Sequence, residues 1–122
     1  MGLAKNVVGY GFSAQQAQAF TVSNVGTGLV AAGTTQGTAL AITADFNIVS
    51  SGGDGAGVKL YAGQIGDSQE VFNDQLTNLR VYPPTADQIN QVALNGCVIL
   101  PAYTYGYFKK CTASRWAACM SA

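Results

Sequence analysis

At 122 residues the chain is sized for one domain with one core, above the length at which small folds need disulfides or metals to survive. Only 10% of its residues are charged, and six basic residues balance six acidic ones, so it lacks the basic patch that phosphate binding needs; Lys109-Lys110 with Arg115 is the nearest approach. It has no histidine, which removes the usual general base near neutral pH, the commonest metal ligand and the usual activator of Ser or Cys nucleophiles.

With so little charge, the surface has to be covered by Thr, Ser, Asn, Gln, Ala and many of the 15 glycines. A chain of zero net charge has little electrostatic protection against association, so this composition suits a surface occupied by other subunits.

Residues 1–19 read as an N-terminal arm. Ser13 could cap a turn over the Ala/Gln run that follows, but no apolar stripe gives that turn a face to bury. The opening MGLAKNVVGYGF lacks the pattern of a cleaved secretion signal, and Asn6 stands where a myristoylation motif needs Ser or Thr. No run approaches the roughly 18 apolar residues of a membrane span.

From Phe20 onward the chain reads as one β-domain, residues 20–122. Short runs rich in β-branched and aromatic residues cover Phe20–Ser23, Gly37–Ala44, Phe46–Val49, Val58–Ala62, Glu70–Asn73, Leu79–Tyr82, Cys97–Leu100, Tyr103–Cys111 and Trp116–Met120. Turn residues separate them, as in Ser51-Gly52-Gly53-Asp54-Gly55, which reads as a flexible hairpin rather than a phosphate cradle because no Lys-Ser/Thr and no helix follow it. Strands so spaced predict an all-β fold, an antiparallel β-sandwich or jelly roll with at most short helical turns.

Three stretches need separate treatment. In LRVYPPTADQIN, residues 79–90, a strand meets Pro83-Pro84; Thr85 with Gln88 then has capping-box spacing, and Ile89, Val92 and Ala93 follow at helical intervals. The segment from Thr85 to Leu94 is therefore either a short helix or an interface loop. In Tyr103–Cys111, alternation puts Tyr103, Tyr105 and Tyr107 on one face and Thr104, Gly106 and Phe108 on the other. The tyrosine row is expected to form one wall of the core, with a binding platform as the alternative.

Cys97, Cys111 and Cys119 are odd in number and match no zinc spacing, so they are expected to be buried free thiols, with a Cys111–Cys119 bridge as the minor option. Asp45, Asp54, Asp67, Asp74 and Asp87 read as solvated turn acids rather than a glycosidase pair or calcium loop, and the two adjacent lysines read as a solvated face. No catalytic residue, metal ligand or cofactor is expected.

Taken in order, Ala31–Gln36, Ala44–Val49, Gly57–Leu60, Gly66-Asp67-Ser68 with Val71-Phe72-Asn73, Leu79–Pro84 with Ile89-Asn90, and Ser114-Arg115-Trp116 resemble small structural proteins of tailed bacteriophages that decorate or cement the capsid, or form head fibres. The most specific element is Val81-Tyr82-Pro83-Pro84 followed by Ile89-Asn90. One departure is Ala86-Asp87-Gln88, where such sequences usually carry a glycine, which weakens the expectation of a tight turn there. The resemblance implies a small β-fold, a homotrimer on the outer capsid surface bound to the major capsid protein, assembled in the host cytoplasm and acting by surface burial rather than catalysis. The interface residues expected under it are Tyr10 and Phe12 of the arm, with Arg80, Tyr82, Pro83, Pro84 and Trp116. A fibre or tail knob binding a host receptor or glycan is the alternative, and an enzyme acting on cell-surface polymers is disfavoured by the missing histidine.

Overall fold

The computed structural model describes residues 24–121. The arm, Tyr10, Phe12 and the strand expected over Phe20–Ser23 lie outside the described residues. Ten strands carry the fold: β1 Val25–Val30, β2 Leu40–Ala41, β3 Phe46–Ser51, β4 Gly57–Lys59, β5 Ser68–Asn73, β6 Leu79–Tyr82, β7 Gln88–Ile89, β8 Val98–Leu100, β9 Tyr105–Thr112 and β10 Arg115–Met120. Most lie where β-branched and aromatic runs place them; β1 and β7 were not foreseen.

The architecture is all-β but is a parallel β-solenoid of about four turns, not an antiparallel sandwich or jelly roll. The chain alternates between two sheets, so that β1, β3 and β5 stack in parallel on one face and β2, β4 and β6 on the other. Successive turns set Val25 opposite Phe46 and Phe46 opposite Glu70, while Leu40, Val58 and Val81 line up across the second sheet. Parallel neighbours need a crossover of about a dozen or more residues. That crossover is usually a helix; here the strand on the opposite face supplies it. Short strands punctuated by turns look the same in either arrangement, which is why spacing alone suggested a sandwich.

The direction reverses at the C-terminal end. β8 runs antiparallel to β6, β9 antiparallel to β5, and β10 returns along β9 before pairing in parallel with β7. Solenoid ends expose an unpaired layer unless capped, and this layer closes one end with Phe108, Ile89 and Trp116, all fully buried. Between the sheets run Val49, Val71, Val58, Val81, Leu60, Leu79 and Leu100, the inward residues of consecutive turns.

Three amides share this interior. Asn47, Gln69 and Asn73 are almost wholly buried, and each serves backbone at a corner where the chain leaves one sheet for the other. Asn47 Nδ2 donates to the Ala44 carbonyl at 2.7 Å, Gln69 exchanges hydrogen bonds with the N–H and carbonyl of Tyr61, and Asn73 Nδ2 donates to the carbonyls of Thr77 and Leu100. Corner backbone groups have no ladder partner, and a buried group left unpaired is costly. Part of the Asn/Gln content thus builds the inside of the coil rather than its surface.

The loop after β3 is likewise no hairpin. It turns the chain from one sheet to the other, with Gly52 at φ 131°. A Cβ on Gly52 would lie 2.6 Å from the Ala31 carbonyl oxygen, so the corner requires glycine for space as well as for conformation.

Among the described residues there is no helix. Residues 83–96 form turns around β7, and Ala86, Asn90 and Asn95 have φ of 71°, 51° and 61°, values that no right-handed helix accommodates. The capping-box residues go elsewhere: Thr85 Oγ1 accepts from Lys59 Nζ at 2.9 Å, and Gln88 Nε2 donates to the Val92 carbonyl at 3.0 Å.

β9 reverses the expected faces. Thr104, Gly106 and Phe108 point inward, while Tyr105 and Tyr107 are half-buried on the outer side and Tyr103 lies exposed before the strand. No cysteine is buried: Cys97 is half-buried, and Cys111 and Cys119 are exposed and free. Cys119 lies opposite Tyr107, so Cys111 is four positions along β9 from it; this is a separation of about 13 Å, too far for a disulfide.

Candidate functional site

The sequence-derived interface residues fall into two internal clusters. The first gathers Arg80, Tyr82 and Pro83 under the loop that follows β1. Tyr82 Oη donates to the Thr34 carbonyl at 2.9 Å, Arg80 Nη1 donates to the same oxygen at 3.2 Å, and Gln36 Nε2 donates to the Pro83 carbonyl at 2.8 Å. The Tyr82 ring lies over Gly57, where a Cβ would come within 2.8 Å of it. Tyr82, Pro83 and Pro84 are buried by this arrangement. These residues tie β6 to the loop that precedes β2, across the intervening turn that carries β4, and of the four only Arg80 keeps partial exposure.

The second cluster lies at the capped end. Asp87, read as a solvated turn acid, is buried; its Oδ2 accepts from Trp116 Nε1 at 3.0 Å and lies 3.7 Å from Lys110 Nζ. Lys110 also donates to the Gly63 carbonyl at 2.8 Å and lies 5.8 Å from the centre of the Trp116 ring. Lys109 is solvated as expected, but Lys110 is not. Trp116 is fully buried, so its side chain cannot meet a partner without opening the fold. Alternation explains the split between the two lysines: Lys109 takes the outer face of β9 and Lys110 the inner.

A surface open to a partner is the outer face of the first sheet. The register aligns Phe46, Glu70 and Tyr107 in one row and Ile48, Phe72 and Tyr105 in the next, with Val25 and Cys119 extending the first row to either side. Phe46 and Tyr105 meet edge to face, ring centroids 6.3 Å apart. The one carboxylate in these rows, Glu70, accepts a hydrogen bond from Tyr105 Oη. The result is a largely aromatic and apolar strip across adjacent strands, with Glu70 as its one charged group. Phe46, Ile48 and Phe72 went unnoticed in the sequence, although the pairs 46/48 and 70/72 repeat at strand spacing and become a strip only once the parallel register is known.

At the rim, Tyr61 Oη donates to Asp45 Oδ1 at 2.7 Å. Burial, then that hydrogen bond and the Asp45 charge, push the Tyr61 pKa up to about 12. Burial and the Glu70 contact push Tyr105 well above the ordinary tyrosine range. A group whose folded pKa is raised gives stability that is complete below its unfolded value, near 10 for tyrosine, and is lost as pH rises through the folded value. The urea midpoint is therefore expected to fall as pH climbs from about 10 towards 12, and less steeply in Tyr61→Phe. Identical alkaline slopes in the two proteins would contradict this.

Among the described residues no group of three or more Cys, Asp or Glu side chains is placed to hold a metal ion. No family model, no curated protein and no solved structure matches the chain.

Proposed function

We propose that the chain is a structural protein of a tailed-bacteriophage virion, a homotrimeric decoration protein that binds the major capsid protein on the outer surface of the head. It acts by burying surface between neighbouring subunits and so raising the free energy needed to separate them. The observation that carries this reading is the largely apolar strip of Phe46, Ile48, Phe72, Tyr105 and Tyr107 on the outer sheet face, its one carboxylate, Glu70, hydrogen-bonded by Tyr105, a surface suited to contact with a copy of the chain. Short, rigid side chains on a coil held by corner amides lose little conformational entropy on docking. Three-fold symmetry then multiplies a modest contact by avidity.

Light scattering on the purified chain tests the trimer. Three copies are expected at micromolar concentration, and Phe72→Glu, which puts an unpaired charge at the centre of the strip, is expected to give a folded monomer. A monomeric wild type, or a Phe72→Glu variant that still forms trimers, would remove the strip from the interface.

A further inference from the structure

A second surface feature lies apart from the apolar strip. Where β10 runs beside β7, a cleft of about 470 Å³ opens, lined by Asn90, Gln91, Cys111, Thr112, Arg115 and Ala117. The pairing of β10 with β9 shifts register between Arg115 and Trp116, and Arg115 lines the cleft. Arg115 Nε donates to the Asn90 carbonyl at 3.0 Å, which fixes the guanidinium plane. Asn90 is held in turn, its Oδ1 accepting from the Ala118 N–H at 2.9 Å.

The terminal nitrogens of Arg115 have no acidic partner among the described residues, and no carboxylate lines the cleft. A fixed, half-buried guanidinium with free terminal N–H groups is a fork for a planar bidentate anion. Beside it, Ala117 gives an apolar wall, and Gln91 and Thr112 give neutral polar groups at the rim. That combination of one cation, one apolar wall and amide and hydroxyl neighbours fits a pyranose ring bearing a carboxylate.

We propose that this cleft is a binding subsite for a carboxylated sugar, with Arg115 taking the carboxylate. The assignment does not depend on which particle surface the chain covers.

NMR titration of the Arg115 side-chain Nε–H and the Ala117 amide in the full chain, at constant ionic strength, tests it. D-Glucuronate is expected to give a saturable shift at both positions, D-glucose none, and acetate binding at least about tenfold weaker. Read at the Ala117 amide, Arg115→Gln is expected to abolish the response, and Arg115→Lys, which keeps the charge but loses the fork, to weaken it about tenfold while leaving the rest of the spectrum in place. The proposal is overturned by the absence of a saturable shift, by equal binding of acetate or of a glutamyl tripeptide, or by an undiminished Ala117 response in Arg115→Gln.

Discussion

Replacing Asp87 with alanine is expected to destabilise the fold by about 3–5 kcal/mol, the range for breaking a buried charge pair from one side. The side chains of Lys110 and Asp87 are only 10% and 11% exposed. Without Asp87, the Lys110 ammonium keeps the Gly63 carbonyl but no counter-charge, and the Trp116 indole N–H loses its acceptor inside the cap. The indole contact at 3.0 Å is closer than the ion pair at 3.7 Å, so Asp87→Asn, which retains an acceptor oxygen, is expected to cost less than Asp87→Ala. Adding Lys110→Met to Asp87→Ala removes the orphaned charge and fills similar volume, and most of the lost stability is expected to return. Urea unfolding reads all four proteins. A loss under about 1 kcal/mol for Asp87→Ala, or no recovery in the double variant, would show that the cluster does not hold the cap.

The second large effect separates two adjacent residues. Phe108 is fully buried on the inner face of β9, whereas Tyr107 is half-buried on the outer face opposite Glu70 and Cys119. Phe108→Ala is expected to cost about 3–5 kcal/mol, the transfer free energy of the ring plus the cavity it leaves. Tyr107→Ala is expected to cost less than about 1 kcal/mol in the isolated chain, since its outer position leaves no closed cavity. A larger loss from Tyr107 than from Phe108 would restore the tyrosine-walled core that the sequence suggested and reverse the strand.

The contrast shows where the fold was legible. Strand positions could be read from β-branched and aromatic runs, and the two faces of β9 from alternation alone. Which face was the core could not, because three tyrosines outweigh Thr104, Gly106 and Phe108 in bulk, and only the packing of Gly106 against Phe108 and Leu100 decides the matter. The parallel order was hidden for a different reason. It depends on Val25, Phe46 and Glu70 meeting across whole turns of the coil, and the segments between them carry the same turn residues that antiparallel connections would.

The candidate sites followed the same division. Pro83 and Pro84 were correctly seen to end β6, but Thr85 and Gln88 form bonds remote from any helix cap because positive φ at Ala86 breaks the helical path. Asp87 looked like a turn acid because its neighbours in sequence are turn residues; its burial comes from β9 and β10, which no local pattern reports. Trp116, expected at the interface, is core. The strip across Phe46, Ile48, Phe72, Tyr105 and Tyr107 became visible only when the register aligned strands far apart in the chain.

The proposed role as a trimeric capsid decoration protein is tested most directly by cryo-electron microscopy of the intact particle that carries this chain. The expected result is density for three β-solenoids at three-fold or quasi-three-fold positions on the outer face of the head, with the Phe46–Phe72–Tyr105 face buried against a neighbouring subunit. Density confined to the tail tip, or solenoids standing with that face open to solvent, would contradict it.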